Sequence, residues 1–166
     1  MFARITRIGS PAFLALALLL SACGTQADST PQAASADGVV KVRSAYAVDE
    51  TIARLKQDIA SKGIMFFGEI DQSRLAADAG IALRPSTLLV FGNPPLGTQF
   101  MTSNPLSGLD WPVRVLVVED EQGQVWVAYT DFSYIARRHQ IADRGAQFKM
   151  ASEVITSITS SVAPKP

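Results

Sequence analysis

One cysteine and one histidine in 166 residues leave little for metal or disulfide chemistry. An internal disulfide is impossible, and so are Cys₄, Cys₂His₂ and two-imidazole metal sites. No charge excess exists either: 15 Lys and Arg balance 15 Asp and Glu. A chain with no basic surplus has no means of neutralising a phosphate backbone, which excludes nucleic acid as a partner. No Gly-x-Ser-x-Gly elbow and no glycine-rich phosphate loop occur, so neither a serine hydrolase of that type nor a nucleotide cofactor is expected. No metal and no other cofactor is expected. Internal repeats are also missing. What is present is a chain 48% hydrophobic and 18% charged, apolar enough to fold around a core.

The first charges, Arg4 and Arg7, precede an uncharged apolar run over residues 11–20. That run is shorter than the roughly 20 residues a spanning helix needs. Leu20-Ser21-Ala22-Cys23 follows and resembles the lipobox of bacterial lipoproteins. The resemblance implies diacylglycerol in thioether linkage on Cys23, cleavage before it, and anchoring in a lipid bilayer. A plain secretory signal is the alternative, and it would leave an exported thiol unpaired. Two or three acyl chains give stable anchoring where one is marginal. Gly24 stands where an Asp would signal inner-membrane retention, so the expected location is the cell envelope. In a double-membraned host that is the outer membrane, with the domain facing the periplasm. Residues 24–38 contain no aromatic, Val, Ile or Leu and read as a flexible tether about 20 Å in reach. The expected partition is a signal over 1–22, lipidated Cys23 and tether over 23–38, and one domain over 39–163.

Within that domain, β-branched residues over 39–45 predict a first strand. Val48, Ile52, Leu55 and Ile59 give the stripe of a helix capped by Asp49 and closed by Gly63. Residues 64–70 predict a second strand, and Ala-rich 71–80 a short helix. Residues 86–92 form an apolar run suited to a central strand. Asn93-Pro94-Pro95 fits a cap and first turn of a helix to about 103. Runs at 113–119 and 124–130 around Asp120-Glu121-Gln122-Gly123 predict a hairpin. Asp131 caps a helix to 138, and Phe148, Ala151, Ile155, Ile158 and Val162 mark a last amphipathic helix. The order predicts an α+β two-layer sandwich, a mostly antiparallel sheet with helices packed on one face.

Several stretches together resemble a known family. They are Arg84-Pro85-Ser86-Thr87-Leu88-Leu89-Val90-Phe91-Gly92-Asn93-Pro94, Leu109-Asp110-Trp111-Pro112-Val113-Arg114-Val115-Leu116-Val117, and Gly123-Gln124-Val125-Trp126-Val127 with Glu119-Asp120 before it. The chain is similar here to the bacterial domain-of-unknown-function family 302, as it is at Gly97-Thr98, Asn104-Pro105, Tyr129 and Arg138-His139. The resemblance implies a compact α+β domain, dimeric in some members, with no established activity. Relatives often carry His after the second strand where this chain has Gln72, which neither titrates nor ligates a metal well.

Five residues are candidates for ligand binding: Arg84, Asn93, Asp110, Arg114 and His139. Asn93 opens a helix after a central strand, where an anion or polar ligand can sit, although the prolines remove donors there and a structural turn is the favoured reading. Arg84, Asp110 and Arg114 have the charges to converge on an anionic ligand, or to form an internal salt bridge. His139 follows Arg137 and Arg138, so it reads as a helix-end cation or as a lone acid–base group. The acidic run Glu119-Asp120-Glu121 reads as a solvated turn. No nucleophile motif accompanies His139. The expectation is therefore a non-enzymatic ligand- or partner-binding domain in envelope maintenance or stress response. A hydrolase using His139 with nearby carboxylates, and a sensory module with an apolar pocket, are the alternatives. Apolar strands at a sheet edge or open face also lead us to expect a homodimer.

Overall fold

The structure, a computed structural model, describes residues 36–165. Cys23, the signal and most of the tether lie outside the described residues. Five strands form one antiparallel sheet in the order β1-β5-β4-β3-β2. They are β1 Val39–Arg43, β2 Met65–Asp71, β3 Ser86–Gly92, β4 Val113–Glu119 and β5 Val125–Thr130. Helices α1 Val48–Ser61, α2 Gln72–Asp78, α3 Pro94–Ser103, α4 Phe132–Arg138 and α5 Gly145–Ser160 complete the fold, with a 3-10 turn at Pro105–Asp110. The α+β sandwich expected from the sequence is the fold observed.

Strand alternation decides which face is core. Val42, Val127, Val117 and Thr87 form one cross-strand row, and Val40, Tyr129, Val115 and Leu89 form the next. All eight are buried. Ile52, Leu55 and Ile59 of α1 and Phe148, Ile155 and Ile158 of α5 pack against them. The other face carries Ile70, Leu88, Leu116, Ala128 and Lys41 in one row, and Val118, Trp126 and Arg43 in another. There the apolar residues of β3 to β5 are only half-buried, and Ile70 is 43% exposed. Helix α2 reaches this side at one end, where the Ser86 hydroxyl donates to Gln72 Oε1 at 2.7 Å.

Three local expectations change. Helix α1 starts at Val48 with Ala47 as an N-cap that has no side-chain acceptor, so Asp49 lies in the first turn rather than at the cap. There its charge faces the helix's positive end, which serves the same purpose by another route. By strand alternation Phe66 and Phe67 include a core residue, yet both are exposed, because β2 is an edge strand and a bulge between Phe66 and Gly68 breaks its alternation. Gly38, at the end of the tether segment, is buried at φ +78°, and a Cβ there would lie 2.2 Å from the Tyr134 ring.

Candidate functional site

The 3-10 turn before β4 and the end of α4 meet at Asp110. Asn104 organises this meeting from both sides. Its Oδ1 caps the turn by accepting from the Leu106 N–H at 3.0 Å, and its Nδ2 donates to the His139 carbonyl at 2.8 Å. Asp110 and His139 are 8% and 6% exposed. His139 Nε2 lies 2.6 Å from Asp110 Oδ2. Arg114 Nη2 and Arg138 Nη1 each donate to Asp110 Oδ1 at 3.2 Å, and Arg114 also holds the Leu109 carbonyl at 3.0 Å. One buried carboxylate thus binds three basic side chains, Arg114 from β4 and Arg138 and His139 from the end of α4. The two arginines keep about half their side-chain surface in solvent, so their pairs with Asp110 are screened. The His139–Asp110 bond is the dry one, and it fixes the imidazole through Nε2.

Trp111 follows directly. Its indole lies over Gly97 of α3, where a Cβ would approach Nε1 to 1.9 Å, and Phe67 meets it edge-on at 5.7 Å. Asp110 therefore anchors the segment that carries Trp111. Behind the indole is an apolar cavity of about 50 Å³, bounded by Phe91, Leu96, Phe100, Trp111, Ile155 and Ile158 among others. Asn93 and Leu96 line both this cavity and an open groove of about 280 Å³ between α3 and α5, floored by Gln99, Gln147 and Met150.

The five residues singled out from the sequence thus divide. Asp110, Arg114 and His139 come together. Asn93 stands at the cavity rim, its Oδ1 capping α3 through the Leu96 N–H at 3.2 Å. Arg84 lies at the far end of the sheet, where the Glu119 N–H donates to the Pro85 carbonyl and the charge of Arg84 acts on Asp120. It does not join Asp110 and Arg114. His139 is not the exposed helix-end cation of the simplest reading; it is buried against a carboxylate 29 residues away in sequence.

The acidic hairpin turn is also built rather than merely solvated. Asp120 Oδ2 accepts from the Trp126 indole at 2.7 Å, and Oδ1 accepts from the Gln122 and Gln124 N–H groups. The Trp126 bond foremost, against an opposing desolvation, holds the Asp120 carboxyl below its ordinary value. Sequence reasoning missed Ser107, whose buried hydroxyl has no hydrogen-bond partner among the described residues. No pattern in the sequence signals such an orphan. It also missed the pairing of Gly97 with Trp111, for which a glycine inside a helix was the available sign.

Among the described residues no cluster of three His, Cys, Asp or Glu is placed to hold a metal. No described helix is long and apolar enough to cross a membrane. The chain is 39% identical over 104 residues to "Fluoride-specific ion channel FluC 1" of Brucella suis biovar 1 (strain 1330), a match covering 63% of this chain and 41% of that one. It has the same identity over the same length to "Fluoride-specific ion channel FluC 2" of Brucella melitensis biotype 1, covering 38% of that protein. It spans about two fifths of the length of these curated relatives. Among solved structures, an uncharacterized conserved DUF302 protein from Bacillus stearothermophilus superposes with TM-score 0.69 at 14% identity, covering 75% of this chain and 98% of that one. That chain consists almost wholly of this fold. The model of the domain of unknown function DUF302 matches residues 40–162, spanning both the Asp110 cluster and the cavity, and the chain belongs to that family.

Proposed function

We propose that this chain is an acylated lipoprotein of the bacterial envelope whose DUF302 domain is a non-catalytic binding module that pairs with a second copy of itself. The observation that carries the reading is the sheet face opposite the helices. Leu88, Val90, Leu116, Val118 and Trp126 lie side by side there, partly buried, with Arg114 across from Val90 and the more exposed Ile70 on the adjoining edge strand. Contiguous apolar surface of this kind on a folded domain marks an interaction site. A self-complementary face buried about a two-fold axis is the commonest way to cover it. The Asp110 cluster supports a structural role at the other candidate site, because Asp110 and His139 are both buried and Asn104 ties the His139 carbonyl to the same turn.

The anchor rests on the sequence: a basic start, a short apolar run and Leu20-Ser21-Ala22-Cys23 in register. Its test is metabolic labelling with a fatty-acid analogue in the host. Wild type is expected to take up label and fractionate with membranes, and Cys23→Ser to do neither. Equal incorporation in both would contradict acylation at Cys23.

A second reading is favoured by the curated relatives. Proteins named as fluoride-specific channels contain a stretch 39% identical to this chain. Under that reading the domain is an accessory to a fluoride-conducting membrane protein, held at the bilayer by its own lipid. Deleting the gene would then raise the host's fluoride sensitivity, and an unchanged inhibitory concentration of fluoride would remove the reading.

A further inference from the structure

We propose that the cavity behind Trp111 and the groove between α3 and α5 are one binding site for an uncharged, elongated apolar molecule, an acyl chain being the chemical type. The two spaces meet at Asn93 and Leu96, which line both. The cavity of about 50 Å³ is too small for a ligand alone, and the open groove of about 280 Å³ supplies the remaining room. The inner part is walled by aromatic and aliphatic side chains, a lining that receives the end of a hydrocarbon chain. No charged side chain lines either part, and Arg144, which donates to the Gln99 carbonyl at 3.2 Å, is paired with Asp143, so an ionised head meets no free cation in the lining and would be desolvated at a cost. The outer end carries neutral amides instead. Gln147 Nε2 donates to Gln99 Oε1 at 3.0 Å across the groove, which leaves further amide donors and acceptors for a hydroxyl or carbonyl.

The wall is fixed rather than soft. Asp110 is held by His139, Arg114 and Arg138, and the next residue, Trp111, is seated against Gly97. The void is thus maintained by a clamp outside it, as a preformed pocket requires. This site is on the helical side of the sheet and is independent of the apolar face proposed for self-pairing.

The two tryptophans supply the test. Trp111 walls the cavity, while Trp126 is on the opposite sheet face with its indole bonded to Asp120. In residues 36–166 labelled with ¹⁵N, 1-decanol is titrated to its solubility limit and the two indole N–H resonances are followed. The Trp111 resonance is expected to shift saturably and the Trp126 resonance to stay. Decanoate at neutral pH is expected to bind at least about tenfold more weakly. Ala151→Leu, filling the cavity floor, is expected to abolish the shift. Met150→Glu, at an exposed groove position, is expected to weaken binding at least about tenfold with the fold intact, and it decides the matter if Ala151→Leu fails to fold. An unmoved Trp111 resonance, equal shifts of both indoles, decanoate binding as tightly as decanol, or unchanged affinity in Met150→Glu would each overturn the proposal.

Discussion

Asp110 has three basic partners of unequal worth. Arg114 and Arg138 are half in water, so removing either is expected to cost under about 1 kcal/mol. His139 is buried with it. His139→Ala empties that volume and strips a dry hydrogen bond from a carboxylate, at an expected cost of about 2–4 kcal/mol. Chemical denaturation with an unchanged slope measures this directly, and a loss below 1 kcal/mol would show that the pair is not what holds the turn. Ser107 in the same turn predicts the opposite sign. Its hydroxyl is 2% exposed and unbonded, so Ser107→Ala is expected to raise stability by about 1 kcal/mol. A fall in the unfolding midpoint would mean that the hydroxyl has a partner in solution. None of this was legible locally. Arg137-Arg138-His139 reads as a solvated helix end, and only the Asp110 turn, distant in sequence, makes it an interior.

Local signals served better for the elements. The β4–β5 hairpin follows from two alternating runs around Asp120-Glu121-Gln122-Gly123, and Gly123 takes the expected positive φ of 72°. Asn93 and Asp131 cap α3 and α4 as their side chains suggest. The α1 cap was misjudged because Ala47 offers no side chain to mark it. The 3-10 turn was missed because Pro105 to Asp110 carries no periodic pattern long enough to read. The role of Asp120 was hidden too, since its bond to Trp126 depends on strand register. Its folded-state pKa is depressed, so its stabilisation is present above the ordinary carboxylate value of about 3.9 and is lost as pH falls through the lower folded value. Asp71, lowered chiefly by the Arg74 backbone N–H, acts in the same direction. Asp120→Asn is therefore expected to lower stability at neutral pH and so to flatten the acid limb of a stability–pH curve. An unchanged acid limb would contradict the assignment.

At the scale of the whole molecule, hydrophobic period decided the fold class, and two sheet faces of different polarity decided what is left open. The sequence shows both faces of β3 and β4 to be apolar, but not which one the helices take. That depends on register, which places Leu116 between Leu88 and Ala128 on the uncovered side. Leu116→Glu puts a charge at the centre of that face while leaving the core row of Val115 and Val117 intact. The direct measurement is sedimentation equilibrium of residues 36–166, wild type beside Leu116→Glu, at about 50 μM, well above the Kd of a micromolar dimer. Wild type is expected to sediment as a dimer, and the variant as a monomer with an unaltered circular dichroism spectrum. A monomeric wild type, or a variant that stays dimeric, would contradict self-pairing through this face.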